Sequence, residues 1–511
     1  MTESDPKHPQ SPARYPGSGT RDDPYVVDWD EHDPEDPYNW PFKKKWLITA
    51  QLALGTWTVS FASSAYSGGL TFMRKDIPMS ETVAVLGISL YVLGFGFGPL
   101  LFASLSEVRS HCRSVFLYTF SIYTLFHLGG ALGHNVATIL VTRFFAGTFG
   151  SSPLTNAGGV IADMFTPRDR GVASALYATA PFLGPVIGPI VGGYISQSRL
   201  GWRFVFWLMF IFSALNFAFG ALVTPETYAP VLLQRRARTL QTLPDCAQHY
   251  ITIYDLTRPR KFTEVLRINL TRPFRFMFTE PIVTLIAFYI SIAYATLYAQ
   301  FSAFPIVFQE HRGFSAGETG LAFLGIGVGV VAGTCLAPLQ NKWYWRAMDR
   351  SEYGQAPPEA RLYLAMGGGV ALPIGLFWFA WTTNPSIHYM VSIVAGIPIG
   401  GSIALIMQSL TAYVMDTYTI YFASAIASTV VLRSLFAAAF PLFSPSMFHA
   451  LGDQWACSIF AFLAVGFMPV PVLFFKYGRW VRGRSKLAWK EPVSTSNSTI
   501  CEAEKGTPVG K

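Results

Sequence analysis

A helix needs about 20 mostly apolar residues to cross the roughly 30 Å hydrocarbon core of a bilayer. This chain of 511 residues supplies such a stretch about twelve times, approximately over 46–68, 82–104, 114–133, 138–162, 171–195, 202–224, 281–308, 316–338, 361–381, 386–412, 420–444 and 453–475. Runs of that length exclude a transmembrane β-barrel, whose strands are ten-residue segments of alternating polarity. Lipid offers the backbone no hydrogen-bond partner, so the stretches must be helices. Composition agrees: charged residues are 13% of the chain and hydrophobic residues 51%, whereas an average soluble domain is about 25% charged. Neither a soluble globular protein nor a disordered one fits that balance. The five cysteines, at 112, 246, 335, 457 and 501, have neither disulfide-framework nor metal-ligand spacing.

Basic residues orient the spans, because short cytosolic loops collect Lys and Arg. Residues 1–45 read as a polar tail, rich in Asp and Pro, expected to be disordered and cytosolic. They lack the apolar core of a signal peptide and end on Lys43, Lys44 and Lys45 at the first span. With the N-terminus inside, the even-numbered loops are cytosolic. They carry Arg109 and Arg113, then Arg168 and Arg170, a series of arginines over 225–280, and Lys342, Arg346 and Arg350. The outer loops hold only Arg74, Lys75, Arg199 and Arg312. Both termini therefore fall on the cytosolic side. Topology and contact with anionic lipid account for the net charge of +8, which calls for no nucleic-acid partner.

The long basic stretch divides the chain. A six-helix half over 46–224, a cytosolic linker over 225–280, a second six-helix half over 281–475 and a cytosolic tail over 476–511 follow the N-terminal 1–45. Paired six-helix halves enclosing a central site are one known transporter plan. Weak internal repetition supports it. The second span has Gly94, Gly96 and Gly98, and its counterpart, the eighth, has Gly325, Gly327, Gly329 and Gly333. Small residues at such spacing let helices approach closely. The fourth and tenth spans each end on an acid, Asp163 and Asp416.

The fifth span reads Gly184-Pro185-Val186-Ile187-Gly188-Pro189-Ile190-Val191-Gly192-Gly193. Two Gly-Pro steps and a Gly-Gly would ruin a soluble helix; in a bundle they make a kinked helix that packs closely and can pivot. The run resembles the antiporter motif of the major facilitator superfamily. The fourth span, from Arg143-Phe144-Phe145-Ala146-Gly147 through Asn156 to Asp163, is similar to that superfamily's fourth-helix motif in its fungal form. Asp33-Pro34 through Asn39-Trp40, Pro225-Glu226-Thr227, Pro357-Pro358-Glu359 and Arg433-Ser434-Leu435-Phe436 resemble further signatures of fungal twelve-span drug:proton antiporters. On these residues the chain is identified as a member of that group over roughly 40–480.

The resemblance implies an all-α membrane protein of twelve transmembrane helices in two pseudo-symmetric halves. It implies export of a small molecule by alternating access, driven by the proton gradient, with no cofactor and no enzymatic activity. A monomer in the plasma membrane is expected, with a vesicle or vacuole as the alternative site. Such relatives export antifungals or secreted metabolites, a polyketide toxin such as cercosporin being one example. The alternatives are a multidrug or polyamine exporter of the same fold, or a membrane sensor that does not transport.

Two departures from the family pattern stand out. The cytosolic loop after the second span reads Ser106-Glu107-Val108-Arg109-Ser110-His111-Cys112-Arg113. Glu107 and Arg113 keep the family's latch chemistry, with Asp163 as the expected partner of Arg109 or Arg113, but the glycine and one arginine are missing. The seventh span reads Ser302-Ala303-Phe304-Pro305, where polyamine-exporting relatives carry a glutamate before the same turn. A buried cation wants a carboxylate, so this favours a neutral, aromatic or weakly acidic substrate.

Ionisable residues inside a span are functional candidates. Arg143 and Arg433 qualify; the resemblance gives Arg143 a role in proton coupling and binding, against a locking role between helices, and Arg433 is expected to pair with backbone carbonyls, with an anion or carbonyl of the substrate as the alternative. His127 is a titratable candidate, against an ordinary buried histidine. Tyr294, Tyr298 and Phe301 share one helical face and suit a flat aromatic ligand, or simple bundle packing. Asn156, Gln300 and Gln408 add polar groups. The gating set is Glu107, Arg113 and Asp163, with Gly184, Pro185, Gly188, Pro189, Gly192 and Gly193 in the fifth span. Walker-type phosphate loops, nucleophile elbows and zincin pairs are missing from the sequence.

Overall fold

Each apolar stretch becomes helix, and capping residues mark several of the starts. The computed structural model describes residues 15–109, 112–166, 169–242, 248–255, 262–351, 356–419, 421–485 and 487–488. The first half holds α1 (Phe42–Ala65), α2 (Leu70–Asp76), α3 (Glu81–Arg109), α4 (Cys112–Ala131), α5 (Val136–Met164), α6 (Arg170–Gln197) and α7 (Arg203–Val223). The linker contributes α8 (Ala229–Gln241) and α9 (Phe262–Thr279). The second half comprises α10 (Pro281–Phe304), α11 (Ala316–Leu321), α12 (Phe323–Cys335), α13 (Ala337–Asp349), α14 (Tyr363–Thr382), α15 (Tyr389–Thr417), α16 (Phe422–Phe467) and α17 (Pro469–Arg484). Helix thus occupies all twelve expected stretches. Among the described residues, eight segments are long and apolar enough to cross a membrane, and the last, Ser424–Arg484, holds more than one helix, broken at Gly452 with φ +75°.

Local chemistry explains several boundaries. Asn135 accepts from the Thr138 amide at 2.7 Å and starts α5, satisfying one of the free N–H groups at a helix start. Ser315 and Glu318 form a reciprocal capping box on α11. Past α10 the chain does not turn at Pro305. It continues as a π-helical turn, Pro305–Glu310, in which the wider spacing accommodates a residue with no N–H to donate.

The helices place their small and polar faces inward. In α1 the buried side carries Gln51, Thr56, Ser60, Ser63 and Ser64. Against it lies α6, while α3 packs on α5, α12 on α15 and α10 on α16. Contacts of α3 with α16 and of α6 with α11 and α12 join the halves. One apolar core runs continuously through both.

The N-terminal segment departs from expectation. Residues 15–40, read from sequence as disordered tail, are folded against the linker. A strand β1 (Tyr25–Val27) pairs in parallel with β2 (Tyr250–Thr252). Tyr15 and Val27 share a small core with Leu233, Ala237, Leu240 and Tyr250. Asp33 is buried in an ion pair with Arg236. Burial is the largest influence and opposes the Arg236 charge, but the hydrogen bond it donates to Asp33, together with Tyr15 and the charges of Asp33 and Glu35, leaves the guanidinium pKa raised. Asp33 of the tail and Arg236 of the linker, read separately as parts of a solvated tail and a basic loop, are partners. Residues 1–14 and 489–511 lie outside the described residues.

Candidate functional site at the interface of the halves

Arg143 is held by the protein itself. Its side chain is 1% exposed. Nη1 donates to the Ala62 carbonyl at 2.7 Å, Nη2 to the Ser63 carbonyl at 2.9 Å and Nε to the Gly87 carbonyl at 3.1 Å. The guanidinium also lies over the rings of Tyr91, at 4.2 Å, and Tyr66, at 4.7 Å. Bare helix carbonyls and ring faces thus replace the counter-ion that a buried guanidinium ordinarily needs. One side chain on α5 ties α1 to α3.

From Ser63 the polar chain crosses into the second half. The Ser63 Oγ lies 3.1 Å from the Tyr298 hydroxyl, and the Tyr294 hydroxyl donates to Tyr298 at 3.3 Å. The expected row on α10 is present: the rings of Tyr294 and Tyr298 are 4.9 Å apart, and Phe301 meets Tyr298 edge-on at 5.2 Å. Its members diverge in surroundings. Tyr294 and Tyr298 face α1 and α16, whereas Phe301 stacks on Phe323 of α12 at 5.3 Å, inside the second half. Ser302 donates to the Pro441 carbonyl of α16 at 3.3 Å.

Arg433 completes this region from α16. It is half-buried, and its guanidinium sits 4.7 Å over the Tyr294 ring. Tyr177 on α6 adds a further part-buried hydroxyl to the polar groups of the first half. The Tyr177 hydroxyl takes the Thr56 hydroxyl proton at 3.2 Å and donates to the Pro153 carbonyl at 3.3 Å. Sequence reading missed Ser63, Tyr177 and Thr56, since hydroxyl residues are common on bundle faces and no spacing marks these three.

The remaining candidates are spread out. Gln408 is half-buried on α15, and Gln300 is buried on α10 with its Oε1 unbonded. His127 is buried, edge-on to Tyr123 at 4.6 Å, with Nε2 bonding no described residue. Asn156 lies on α5 and Glu107 on α3; their side chains fall outside the described residues.

The glycines of α6 form the groove for α1. A Cβ at Gly184 would sit 2.5 Å from the Phe61 amide nitrogen, at Gly188 2.0 Å from Ser64 Oγ, and at Gly192 2.1 Å from the Ala65 carbonyl oxygen. Pro185 and Pro189 are buried beside them. Gly193 faces the other half: a Cβ there would sit 2.4 Å from the Ala316 carbonyl oxygen. Next to it the Gly317 amide donates to Gln197 Oε1 at 3.2 Å. The motif is therefore a packing surface for two partners, one in each half.

At the cytosolic latch the side chains of Glu107 and Arg109 lie outside the described residues, and Arg113 is the basic member that can be placed. Arg113 makes its hydrogen bonds to the Ala221 carbonyl, at 2.9 Å, and through its amide to Glu226 Oε2, at 3.3 Å, rather than to Asp163. Carbonyls at the C-terminal end of α7 supply the acceptor and a favourable dipole. Asp163 accepts from the Thr227 hydroxyl at 3.3 Å, so both residues gather around Pro225-Glu226-Thr227. A fuller latch lies in the second half. Arg361 Nε donates to Asp416 at 2.9 Å and Nη1 to Asn341 at 3.3 Å, and the guanidinium covers Tyr344 at 3.5 Å. Glu359 pairs with Arg482 beside it. The match of Asp416 to Asp163 was visible in sequence; its arginine partner was not.

Comparison with known proteins agrees with this geometry. The Major Facilitator Superfamily profile matches residues 52–441. The MFS-type efflux pump MFS2 of Trichophyton rubrum is 48% identical over 497 residues, 96% of this chain and 82% of that protein. The Major facilitator superfamily multidrug transporter mdrA of Aspergillus fumigatus is 46% identical over 477 residues, 93% of this chain and 78% of that protein. In fold, the chain is similar to the human organic anion transporter MFSD10 (TETRAN), with TM-score 0.53, 14% identity, and coverage of 85% of this chain and 100% of that one. This chain belongs to the Major Facilitator Superfamily. It is a multi-pass membrane transporter, and its partners are a small-molecule substrate and the lipid bilayer.

Proposed function

We propose that the protein exports a small amphipathic compound, aromatic and neutral or weakly acidic, of the kind fungi make as secondary metabolites or toxins. Export runs by alternating access of the two halves, coupled to inward proton movement, by a monomer in the plasma membrane with both termini cytosolic. The names of the two fungal relatives, an efflux pump and a multidrug transporter, support the direction. The observation that carries the reading is the polar chain Arg143–Ser63–Tyr298–Tyr294, which crosses the interface of the halves at the level of the aromatic row. A ligand inserted beside Tyr294 would compete for those hydroxyls, and so would bias the packing of one half on the other. Spermidine export is disfavoured, because the sequence places no carboxylate at mid-span beside the row.

The test uses purified protein in proteoliposomes with an imposed pH gradient and a panel of aromatic natural products plus spermidine. Gradient-dependent flux of an aromatic member, with spermidine left behind, is the expected result. Flux indifferent to the gradient removes the proton coupling, and flux of spermidine alone removes the substrate class.

A further inference from the structure

Arg433 is unlike the other internal arginines of this chain. Arg143 gives its nitrogens to three carbonyls. Arg312, Arg203 and Arg482 each leave Nε buried and unbonded. Yet each places another nitrogen on an acceptor: Arg312 on the Ile387 and Asn384 carbonyls, Arg203 on Asp76 and Arg482 on Glu359. Arg433 has a buried, unbonded Nε too, and no hydrogen bond or ion pair joins it to any described residue.

What surrounds it is aromatic and neutral. From α10 comes Tyr294, under the guanidinium, with Tyr298 hydrogen-bonded to it. From α3 comes Gly96, where a Cβ would sit 3.0 Å from the Cβ of Ser434, the next residue on α16. The Tyr298 hydroxyl is already engaged with Ser63. A guanidinium at mid-span costs about 3 kcal/mol to hold there, and stacking on one ring offsets only part of this. Arg433 is nevertheless half-buried rather than enclosed, so part of its side chain is accessible.

We propose that Arg433 is the receptor for the anionic oxygen, carboxylate or acidic enol, of a planar aromatic acid. Tyr294 stays under the guanidinium and fixes its plane. The planar fork of the guanidinium then offers paired donors in the geometry that a carboxylate accepts. This assignment rests on the reading of the central region as the transport site, and it narrows that reading from neutral or weakly acidic compounds to acids bound as anions. Acids are chosen over cations because the one unanswered charge among the region's described residues is positive.

The test measures binding of 2-naphthoate and methyl 2-naphthoate to the full-length protein in nanodiscs at pH 7.5 by calorimetry. The two probes share the ring and differ in the anionic oxygen. Naphthoate is expected to bind at least about tenfold more tightly than the ester, since a hydrogen bond to a charged group is the difference. Arg433→Gln removes the preference, and Arg433→Lys keeps part of it. Equal affinities in the wild-type protein, no saturable binding of naphthoate to the folded protein, or a preference that survives Arg433→Gln overturns the proposal. The wild-type comparison stands even where Arg433→Gln does not fold. Flux in proteoliposomes separates the two readings. Acid preference without gradient-driven flux sinks the export reading and leaves the anion site. Equal flux of both probes, untouched by Arg433→Gln, does the reverse.

Discussion

The hydroxyl oxygen of Ser63 stands 3.1 Å from that of Tyr298, a side-chain contact between the two halves of the transporter. The same serine's carbonyl takes the Arg143 guanidinium at 2.9 Å. Side-chain and backbone oxygens of one residue thereby connect α5 to α10 through α1. Ser63→Ala and Tyr298→Phe each remove one hydroxyl at a cost of about 1 kcal/mol. If the contact is intact in the resting protein, a double-mutant cycle on thermal stability gives a double variant less destabilised than the sum of the two singles. Additive effects would show that the hydroxyls do not interact.

Arg143→Gln leaves the carbonyls of Ala62, Ser63 and Gly87 without their charged donor. A loss of about 3 kcal/mol or more is expected, together with loss of transport. Arg143→Lys keeps the charge but reaches fewer carbonyls from one nitrogen, and should melt between the two. A lysine variant with wild-type melting temperature and wild-type flux would show that the three-carbonyl lock is dispensable.

Gly193→Ala and Gly159→Ala separate close packing from helix propensity. At Gly193 a Cβ would sit 2.4 Å from the Ala316 carbonyl oxygen, while at Gly159 it meets nothing within 4 Å. Overpacking costs about 1–3 kcal/mol, whereas alanine in an open helical position gains roughly 0.5–1 kcal/mol. The melting temperature should fall for Gly193→Ala and hold or rise for Gly159→Ala. Equal shifts would mean that the α6–α11 contact is not tight in the membrane.

Asp33→Ala deprives Arg236 of its buried partner and should release the N-terminal segment from the linker. Limited trypsin digestion reads this directly, with cleavage at Arg21 accelerated and the membrane bundle left intact. Unchanged cleavage would show that the β1–β2 pairing holds the segment without the ion pair.

That the chain is helical and crosses a membrane many times was legible in the sequence. It follows from a one-dimensional quantity: runs of apolar residues long enough to cross lipid. The glycine positions of α6 were legible for a similar reason, since a helix with glycine at Gly184, Gly188 and Gly192 presents one bare stripe whatever it meets. Pairings are a different matter. That Arg143 lands on carbonyls while Arg433 lands on the face of Tyr294 and on no acceptor among the described residues, that Asp33 reaches Arg236 across roughly two hundred residues of chain, and that Arg113 turns to Ala221 while Arg361 finds Asp416, depends on distances set by how helices cross. A residue type and its spacing say what a side chain can bond. Only the packed bundle, by excluding water and fixing which backbone oxygens lie within 3 Å or so, decides what it does bond.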